Sequence, residues 1–375
     1  MGKLLGFLVS LLLVAAIAAL GAWFVGQQIY TAPGPETEDG APRVVRVEKG
    51  ATVTQIANEL QEAGAIENAA RFRIAMRAHD ELSKYGLTHP AGVSLKAGEY
   101  SIPSGASMAE IADLLSTGKS VQYAVIVPEG LTSEAIIHLL TDREWEAAGK
   151  TEGTIKLQGD PPAIPPEGSM LPGDYMVESG ETIQSVVDRM TKAQADLMAE
   201  LWDGRKPALP FETQEQALIL ASIVEKETGI PQERPQVASV FVNRLSKKPP
   251  MRLETDPTII YGVCLKRPDS CVDGKLVDKD GRRRPIRASE IALDTGYNTY
   301  RIDGLPPTPI CNPGRDAIAA VLNPPDTDYL FFVADGSGGH AFSKTYREHQ
   351  KNVKNWRPIE ASRLAEEKSE ASAKE

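Results

Sequence analysis

The segment ASIVEKET, residues 221–228, places two carboxylates two residues apart at the end of an otherwise apolar helical pattern. Residues two apart on a helix point about 200° from one another, so only one of the two can face the interior. The apolar stripe that passes through Val224 continues to Glu227, whereas Glu225 falls on the side of Lys226. We therefore predict Glu227 inside and Glu225 at the surface. Burial would raise the pKa of Glu227 and suit it to general acid catalysis, whereas a solvated helix end is the alternative.

The ends of this helix can be read from the sequence. Thr213 and Gln216 have capping-box spacing before the apolar run, and Gly229 and Pro231 end it. Glu227 is then in the last turn, held by a rigid element but open on one side. A catalytic acid requires such a position.

An uncharged apolar run, residues 4–25, lies next to the N-terminus. It is long enough to cross a bilayer of about 30 Å. Lys3 precedes the run and the first charges after it are acidic, so the positive-inside rule places the N-terminus in the cytoplasm. We predict a cytoplasmic tip and transmembrane helix over residues 1–29, with a cleaved signal peptide as the alternative.

The composition argues against several classes of partner. The formal net charge is -10 and no basic stripe carries interleaved aromatic residues, so nucleic acid is not expected. The histidines are scattered without a zinc-binding spacing, and neither a metal nor a cofactor is expected. Residues 30–43, rich in Pro, Gly and acids, predict a flexible tether. Residues 358–375 predict a polar, frayed helical tail.

The chain has three cysteines. Outside an inner membrane, Cys264 and Cys271 could close a short loop as a disulfide. Metal binding is the competing interpretation, although there is no CxxC motif. Cys311 remains as a free thiol or a small buried residue.

A short pattern repeats after the tether. Gly-Ala-Thr at residues 50–52 recurs as Gly-Ala-Ser at 105–107, with a fainter copy that begins at Gly130 and has Thr132 as its polar residue. Each copy follows a strand-like run and opens a helix, with its hydroxyl residue as the N-cap. Residues 44–160 are therefore predicted as an α+β domain of strand-turn-helix units. These units resemble LysM domains, which bind N-acetylglucosamine-containing glycans; a scaffold that spaces the next domain from the membrane is the alternative.

Several further motifs follow one another from residue 222 onward. They are SIVEKET 222–228, VASVFVNRL 237–245, MRLETDPT 251–258, YG 261–262, YNTY 297–300, GLPP 304–307, NPG 312–314 and YLFFVADG 329–336. These motifs closely resemble those of the YceG-like family, the membrane-anchored endolytic murein transglycosylases. They occur in the family's order and behind the expected membrane helix, and the resemblance covers most of residues 44–356.

The resemblance implies cleavage of the β-1,4 bond between N-acetylmuramic acid and N-acetylglucosamine in nascent peptidoglycan strands. The enzyme would be a lyase that leaves 1,6-anhydro ends and terminates strand elongation. By alignment Glu227 is the single general acid and base, in a mixed α/β catalytic domain over residues 161–357. The implied partners are glycan strands, the inner membrane and peptidoglycan synthases, with the catalytic domain in the periplasm.

Seven further residues in the motifs are candidate substrate ligands. Aromatic faces stack on sugar rings and amides bond N-acetyl groups, whereas turn formation and core packing are the alternatives. Glu254 or Asp256 could also supply a second carboxylate to a hydrolase. Asn243 could hold substrate or Glu227, or be solvated. The candidates are Asn243, Glu254, Asp256, Tyr261, Tyr297, Asn298 and Tyr300.

The sequence departs from the family pattern at two places, and two other functions are also consistent with it. The stretch PGDY at 172–175 stands where the family has a sequence like PDTY, and residues 263–285 form an enlarged loop with a basic run at 282–284. The role of that loop stays open. The alternatives to a lytic transglycosylase are a lysozyme-type hydrolase and a noncatalytic glycan-binding scaffold of the wall-synthesis machinery.

Overall fold

The computed structural model describes residues 2–84, 94–148 and 153–373, which form a mixed helix and strand fold. The strands are β1 Arg43–Val47, β2 Gly98–Ile102, β3 Tyr123–Val127, β4 Trp145–Glu146, β5 Thr154–Ile155, β6 Gly173–Val177, β7 Cys271–Val272, β8 Lys275–Leu276, β9 Phe331–Ala334 and β10 His340–Ser343. The helices are α1 Gly2–Thr31, α2 Val53–Glu62, α3 Ala69–Ser83, α4 Met108–Thr117, α5 Ser133–Asp142, α6 Ile183–Asp203, α7 Gln214–Glu227, α8 Arg234–Ser246, α9 Asp256–Lys266, α10 Ala288–Ile291, α11 Arg315–Leu322 and α12 Tyr346–Ala373.

The chain divides into two compact units. The first contains residues 1–124 with 144–155 and 176–180, and the second contains 125–143, 156–175 and 181–375. The division runs through β3 and β6 and assigns α5 to the second unit, although residues 44–160 were predicted as one domain.

Helix α1 contains the predicted apolar run. Its segment Val9–Thr31 is 23 residues long, has a mean hydropathy of 2.3 and is not buried by the rest of the chain. The length and composition are those of a single-pass membrane anchor, and a signal sequence has the same properties. Its orientation stays a prediction.

The strand-turn-helix units predicted in the N-terminal region are present. Thr52, Ser107 and Thr132 are the N-caps of α2, α4 and α5, and each side chain accepts a hydrogen bond from the backbone of the first turn. In the first unit β1 pairs antiparallel with β2, and Val45 lies opposite Tyr100. The buried faces of β1, β2, α2, α3 and α4 make one core.

The segment predicted as a tether, residues 30–43, belongs to the first unit and makes hydrogen bonds within it. Gly34 and Gly105 are joined by a backbone hydrogen bond of 3.0 Å, and Thr37 N donates to Ser104 Oγ at 2.8 Å. Arg43 also donates to a carbonyl of this segment, at 2.9 Å. Composition indicates that a segment lacks regular structure, but not which partners its backbone finds. The flexibility of this segment stays a prediction.

Helix α7 is central to the second unit. It contacts α8, α9 and α11, and its residues from Ile219 to Glu225 are all buried. The predicted capping box of Thr213 and Gln216 begins the helix, which ends at Glu227 as predicted. Because neighbours surround most of α7, only Lys226 and Glu227 of its last two turns remain accessible to solvent.

Residues 263–285, predicted as an enlarged loop, comprise the last turn of α9 and the anchored segment that follows it. Cys264 and Cys271 are joined in a disulfide with their Cα atoms 5.6 Å apart, and β7 and β8 form a short hairpin beside it. Leu276 is buried with residues of α9. At the other end of the chain, α12 continues through the predicted tail to Ala373.

Candidate active site

Glu227 is the last residue of α7 and lines a cleft of about 760 Å³. Its side chain is partly buried, while the next residue, Thr228, leaves the helix in an extended conformation. Asp256, at the start of α9, and Tyr261, one turn further on, line the same cleft. Two of the seven candidate ligands therefore lie beside the predicted catalytic acid.

The surroundings of Glu227 keep it protonated at neutral pH. Burial raises the pKa of its carboxyl group to about 8, and the negative charge of Asp256 adds to the rise. The hydroxyl of Thr255 and the positive charge of Arg244 partly offset it. A carboxylic acid that is protonated near pH 7 can donate a proton to a leaving group, as general acid catalysis requires.

The segment before α9 is fixed by buried hydroxyl groups and one arginine. Thr255 N donates to Thr299 Oγ1 at 2.9 Å, and Thr258 and Thr299 share a hydrogen bond of the same length. Arg244 donates to the carbonyl oxygen of Leu253 at 2.9 Å. These contacts hold Thr255 and Asp256 in place beside Glu227. Pattern reasoning missed Thr255, Thr299 and Arg244, although each lies inside a matching motif.

Tyr300 contacts the cleft through Asp256. Its hydroxyl donates to Asp256 Oδ1 at 2.9 Å, and the residue is 37% exposed. Tyr297 is behind Tyr261, with ring centroids 4.9 Å apart, and its hydroxyl is bonded to Thr308 Oγ1 at 2.7 Å. Tyr297 thus supports the ring of Tyr261 and lies outside the cleft lining.

Three of the candidate ligands have other roles. Asn243 is partly buried, and its amide N–H groups donate to the carbonyl oxygens of Thr327 and Tyr329 at 2.8 and 3.0 Å. Asn298 is fully buried, and its amide donates to the carbonyl oxygens of Ile291 at the end of α10 and of Leu293 just after it. Glu254 is half exposed and lies 3.5 Å from Arg244. Contact of these three residues with substrate stays a prediction.

The predicted exposure of Glu225 was wrong. Its carboxylate accepts hydrogen bonds from Arg234 at 2.7 Å and from the backbone N–H of Gly314 at 3.0 Å. Its side chain is only 4% exposed. Glu225 and Glu227 do point in different directions, as predicted, but Glu225 faces a buried arginine instead of water.

The loop of residues 263–285, whose role was open, forms part of the cleft wall. Lys275, Leu276, Arg283 and Arg284 line the cleft together with Glu227. The loop is therefore placed to contact whatever the cleft binds.

A second cavity of about 460 Å³ adjoins the cleft at Tyr261. Glu167 lines it, and burial raises the pKa of this carboxyl group to about 7, partly offset by hydrogen bonds from Ser133. The backbone N–H of Ser133 donates to Glu167 at 3.0 Å. No sequence motif singled out Glu167, which lies in a proline-rich segment. Within residues 2–84, 94–148 and 153–373, no three His, Cys, Asp or Glu side chains are arranged to hold a metal ion.

Comparisons with known proteins give the family. Residues 45–355 match the sequence model of the YceG-like family. The chain is 26% identical to an endolytic murein transglycosylase of Bacillus subtilis strain 168, over 88% of this chain and 89% of that protein. It is also 26% identical to an endolytic murein transglycosylase of Streptococcus pneumoniae D39, over 92% of this chain but only 64% of that longer protein. A solved YceG-like protein of Listeria monocytogenes aligns with 82% of this chain and 98% of its own at 25% identity, with a TM-score of 0.44.

Proposed function

The chain belongs to the YceG-like family, and we propose from this premise that it is an endolytic lytic transglycosylase of peptidoglycan. It would cleave the β-1,4 bond between N-acetylmuramic acid and N-acetylglucosamine within a glycan strand, leave 1,6-anhydro ends and so terminate strand elongation. The names of the Bacillus and Streptococcus relatives support the reaction class.

The observation that carries the proposal is the state of Glu227. Its carboxyl group lines an open cleft, and burial together with Asp256 raises its pKa to about 8. Near pH 7 the group is therefore mostly protonated and can act as an acid. Because the pKa lies close to this pH, the carboxylate formed by proton transfer can also act as a base.

One carboxyl group suffices for this reaction. Glu227 donates its proton to the glycosidic oxygen, and the C1–O bond of the muramic acid breaks to release a neutral hydroxyl on N-acetylglucosamine. The C6 hydroxyl oxygen of the same muramic acid forms the new bond to C1, and its proton passes to the Glu227 carboxylate. Glu227 returns to its protonated state, and no water is consumed.

The proposal is tested by product analysis with the purified full-length chain in detergent. We expect 1,6-anhydro ends from the unsubstituted chain and a loss of at least about a thousandfold in rate for Glu227→Gln. The matched control is Glu215→Gln, the same chemical change in the exposed first turn of α7. Cleavage by Glu227→Gln at the control rate would refute the role of Glu227. Absence of cleavage by the unsubstituted chain would instead favour the noncatalytic scaffold.

A lysozyme-type hydrolase is the second candidate, because Asp256 lines the same cleft as Glu227. A second carboxylate on the cleft could activate a water or stabilise the sugar cation. Mass spectrometry separates the two reactions. Reducing ends in place of anhydro ends would support the hydrolase.

The strand-turn-helix units of the first unit are proposed to bind glycan as LysM domains do. A groove of about 640 Å³ beside α4 includes Ala109 and Asp113. The substitution Ala109→Trp, made in the inactive Glu227→Gln chain, fills this groove. Loss of binding to insoluble peptidoglycan would support the proposal. Unchanged binding would favour a domain that only spaces the catalytic domain from the membrane.

We also propose that α1 anchors the protein in the inner membrane, with the N-terminus in the cytoplasm and the cleft in the periplasm. Its length, composition and exposure support an anchor. Protease digestion of intact spheroplasts should remove the C-terminal part, and protection of that part would contradict the orientation.

A peptidoglycan synthase is the proposed partner, and failure to co-purify with any such synthase would count against it.

A further inference from the structure

The wall of the Glu227 cleft carries two unpaired cations. Lys275 and Arg283 both line the cleft and are exposed to solvent. Within the described part of the chain, neither side chain forms an ion pair or a side-chain hydrogen bond. Both belong to the loop of residues 263–285.

The other two cations of the cleft are engaged by the protein. Arg284 donates to the two carboxylate oxygens of Glu290 at 2.7 and 2.9 Å, and Lys226 donates to the carbonyl oxygen of Gly130 at 3.0 Å. Three carboxylates also line the cleft, those of Glu227, Asp256 and Asp273. Lys275 and Arg283 are therefore the cations of the lining that remain available to an anionic ligand.

These two cations are held on a fixed wall. The Cys264–Cys271 disulfide closes one side of the loop, and Lys275 pairs with Val272 in the β7–β8 hairpin. Arg283 forms a backbone bridge with Val277, and the next residue, Arg284, is tied to Glu290. A wall fixed in this way loses little conformational entropy when it binds a ligand.

The substrate of the proposed function brings carboxylates to this wall. Each muramic acid carries a lactyl group on C3, and a stem peptide with free carboxylates is attached to it. The muramic acid that reacts at Glu227 must therefore place its peptide along or out of the cleft. Lysine and arginine side chains are the usual partners of carboxylates, and such charge-assisted hydrogen bonds are stronger than neutral ones.

We infer that Lys275 and Arg283 bind a carboxylate of the stem peptide, which makes the chain selective for glycan that still carries its peptides. The inference rests on the proposed function and assigns a role to the enlarged loop. The two residues determine specificity and take no part in proton transfer.

The test is a cycle of two changes, one in the protein and one in the substrate. The protein is the full-length chain in detergent, unsubstituted or with Lys275→Ala and Arg283→Ala together. The substrate is purified peptidoglycan, either native or with its peptide carboxylates converted to carboxamides. The control pair, Lys279→Ala with Arg282→Ala, removes the same charge from exposed positions of the loop that do not line the cleft.

We expect the Lys275 and Arg283 pair of substitutions to lower kcat/KM on native substrate by about tenfold or more. Amidation should lower the rate of the unsubstituted chain by a similar factor, and the two changes together should cost no more than either alone. The control pair should behave as the unsubstituted chain on both substrates.

Independent, multiplying losses would overturn the inference, as would equal effects of the two pairs of substitutions or no effect of either. If the unsubstituted chain cleaves native peptidoglycan in those cases, the proposed function stands and only the carboxylate site is lost. Failure of the unsubstituted chain to cleave either substrate would instead overturn the proposed function, and the inference with it.

Discussion

Arg234 donates a hydrogen bond of 2.7 Å to Glu225, and the two side chains are only 7% and 4% exposed. Arg234 also donates to Glu129 at 2.6 Å. The Arg234–Glu225 pair links α7 to the start of α8. Its glutamate lies two residues before Glu227. The two glutamates therefore have different roles. Glu225 fixes the end of α7 through its ion pair, and this helix end positions Glu227, the proposed catalytic acid.

Glu225→Ala is expected to lower the free energy of unfolding by about 3 kcal/mol, because it leaves a buried arginine short of one partner. Denaturant unfolding of the full-length chain measures the loss. Glu215→Ala, on the exposed start of the same helix, should change stability by less than about 0.5 kcal/mol. Equal stability of the two variants would contradict a structural role for Glu225.

The comparison of Glu225 with Glu227 also defines what the sequence could reveal. Helical periodicity correctly separated their directions and placed both ends of α7, because caps and apolar stripes are local features. It could not identify Glu225 as buried, because its partners Arg234 and Gly314 lie 9 and 89 residues away. Periodicity gives the direction of a side chain on its helix, but not whether a distant segment covers that side.

The cleft shows the same limit. Asp256 and Tyr261 were found because the matching motifs carry them, and both line the cleft. Asn298 belongs to a matching motif too, but its amide donates hydrogen bonds to the carbonyl oxygens of Ile291 and Leu293. A motif does not distinguish a residue that touches substrate from one that shapes the site. Glu167 carried no motif, and its raised pKa comes from burial that only the fold creates.

Catalysis should depend on the protonated form of Glu227, so kcat/KM is expected to fall as the pH rises through about 8. The negative charge of Asp256 contributes to the raised pKa, so Asp256→Asn should move this falling limb to lower pH. Glu254→Gln removes a nearby carboxylate outside the cleft lining and should leave the limb in place. The pH–rate profiles of the three chains test this, and a limb unmoved by Asp256→Asn would exclude the coupling.

The raised pKa also predicts a pH-dependent cost in stability. The folded state binds the Glu227 proton more tightly than the unfolded state, whose pKa is near 4.5. Between about pH 4.5 and 8 the folded chain therefore holds more protons than the unfolded chain. The free energy of unfolding consequently falls as the pH rises through this range. Glutamine cannot ionise, so Glu227→Gln is free of this pH-dependent loss. At pH 8 its free energy of unfolding should exceed that of the unsubstituted chain by about 2 to 4 kcal/mol. The difference should vanish near pH 4, and a constant difference across this range would contradict it.

The Cys264–Cys271 disulfide should matter for both stability and cleavage, because it anchors the loop that forms the cleft wall. Replacing both cysteines with serine is expected to lower the free energy of unfolding by about 2 to 3 kcal/mol, as closure of so short a loop predicts. The rate of glycan cleavage should fall as the wall loosens. Dithiothreitol should reproduce both effects in the unsubstituted chain and add nothing in the double variant. A further loss in the double variant would mean that the reductant acts elsewhere, and the disulfide would not be the cause.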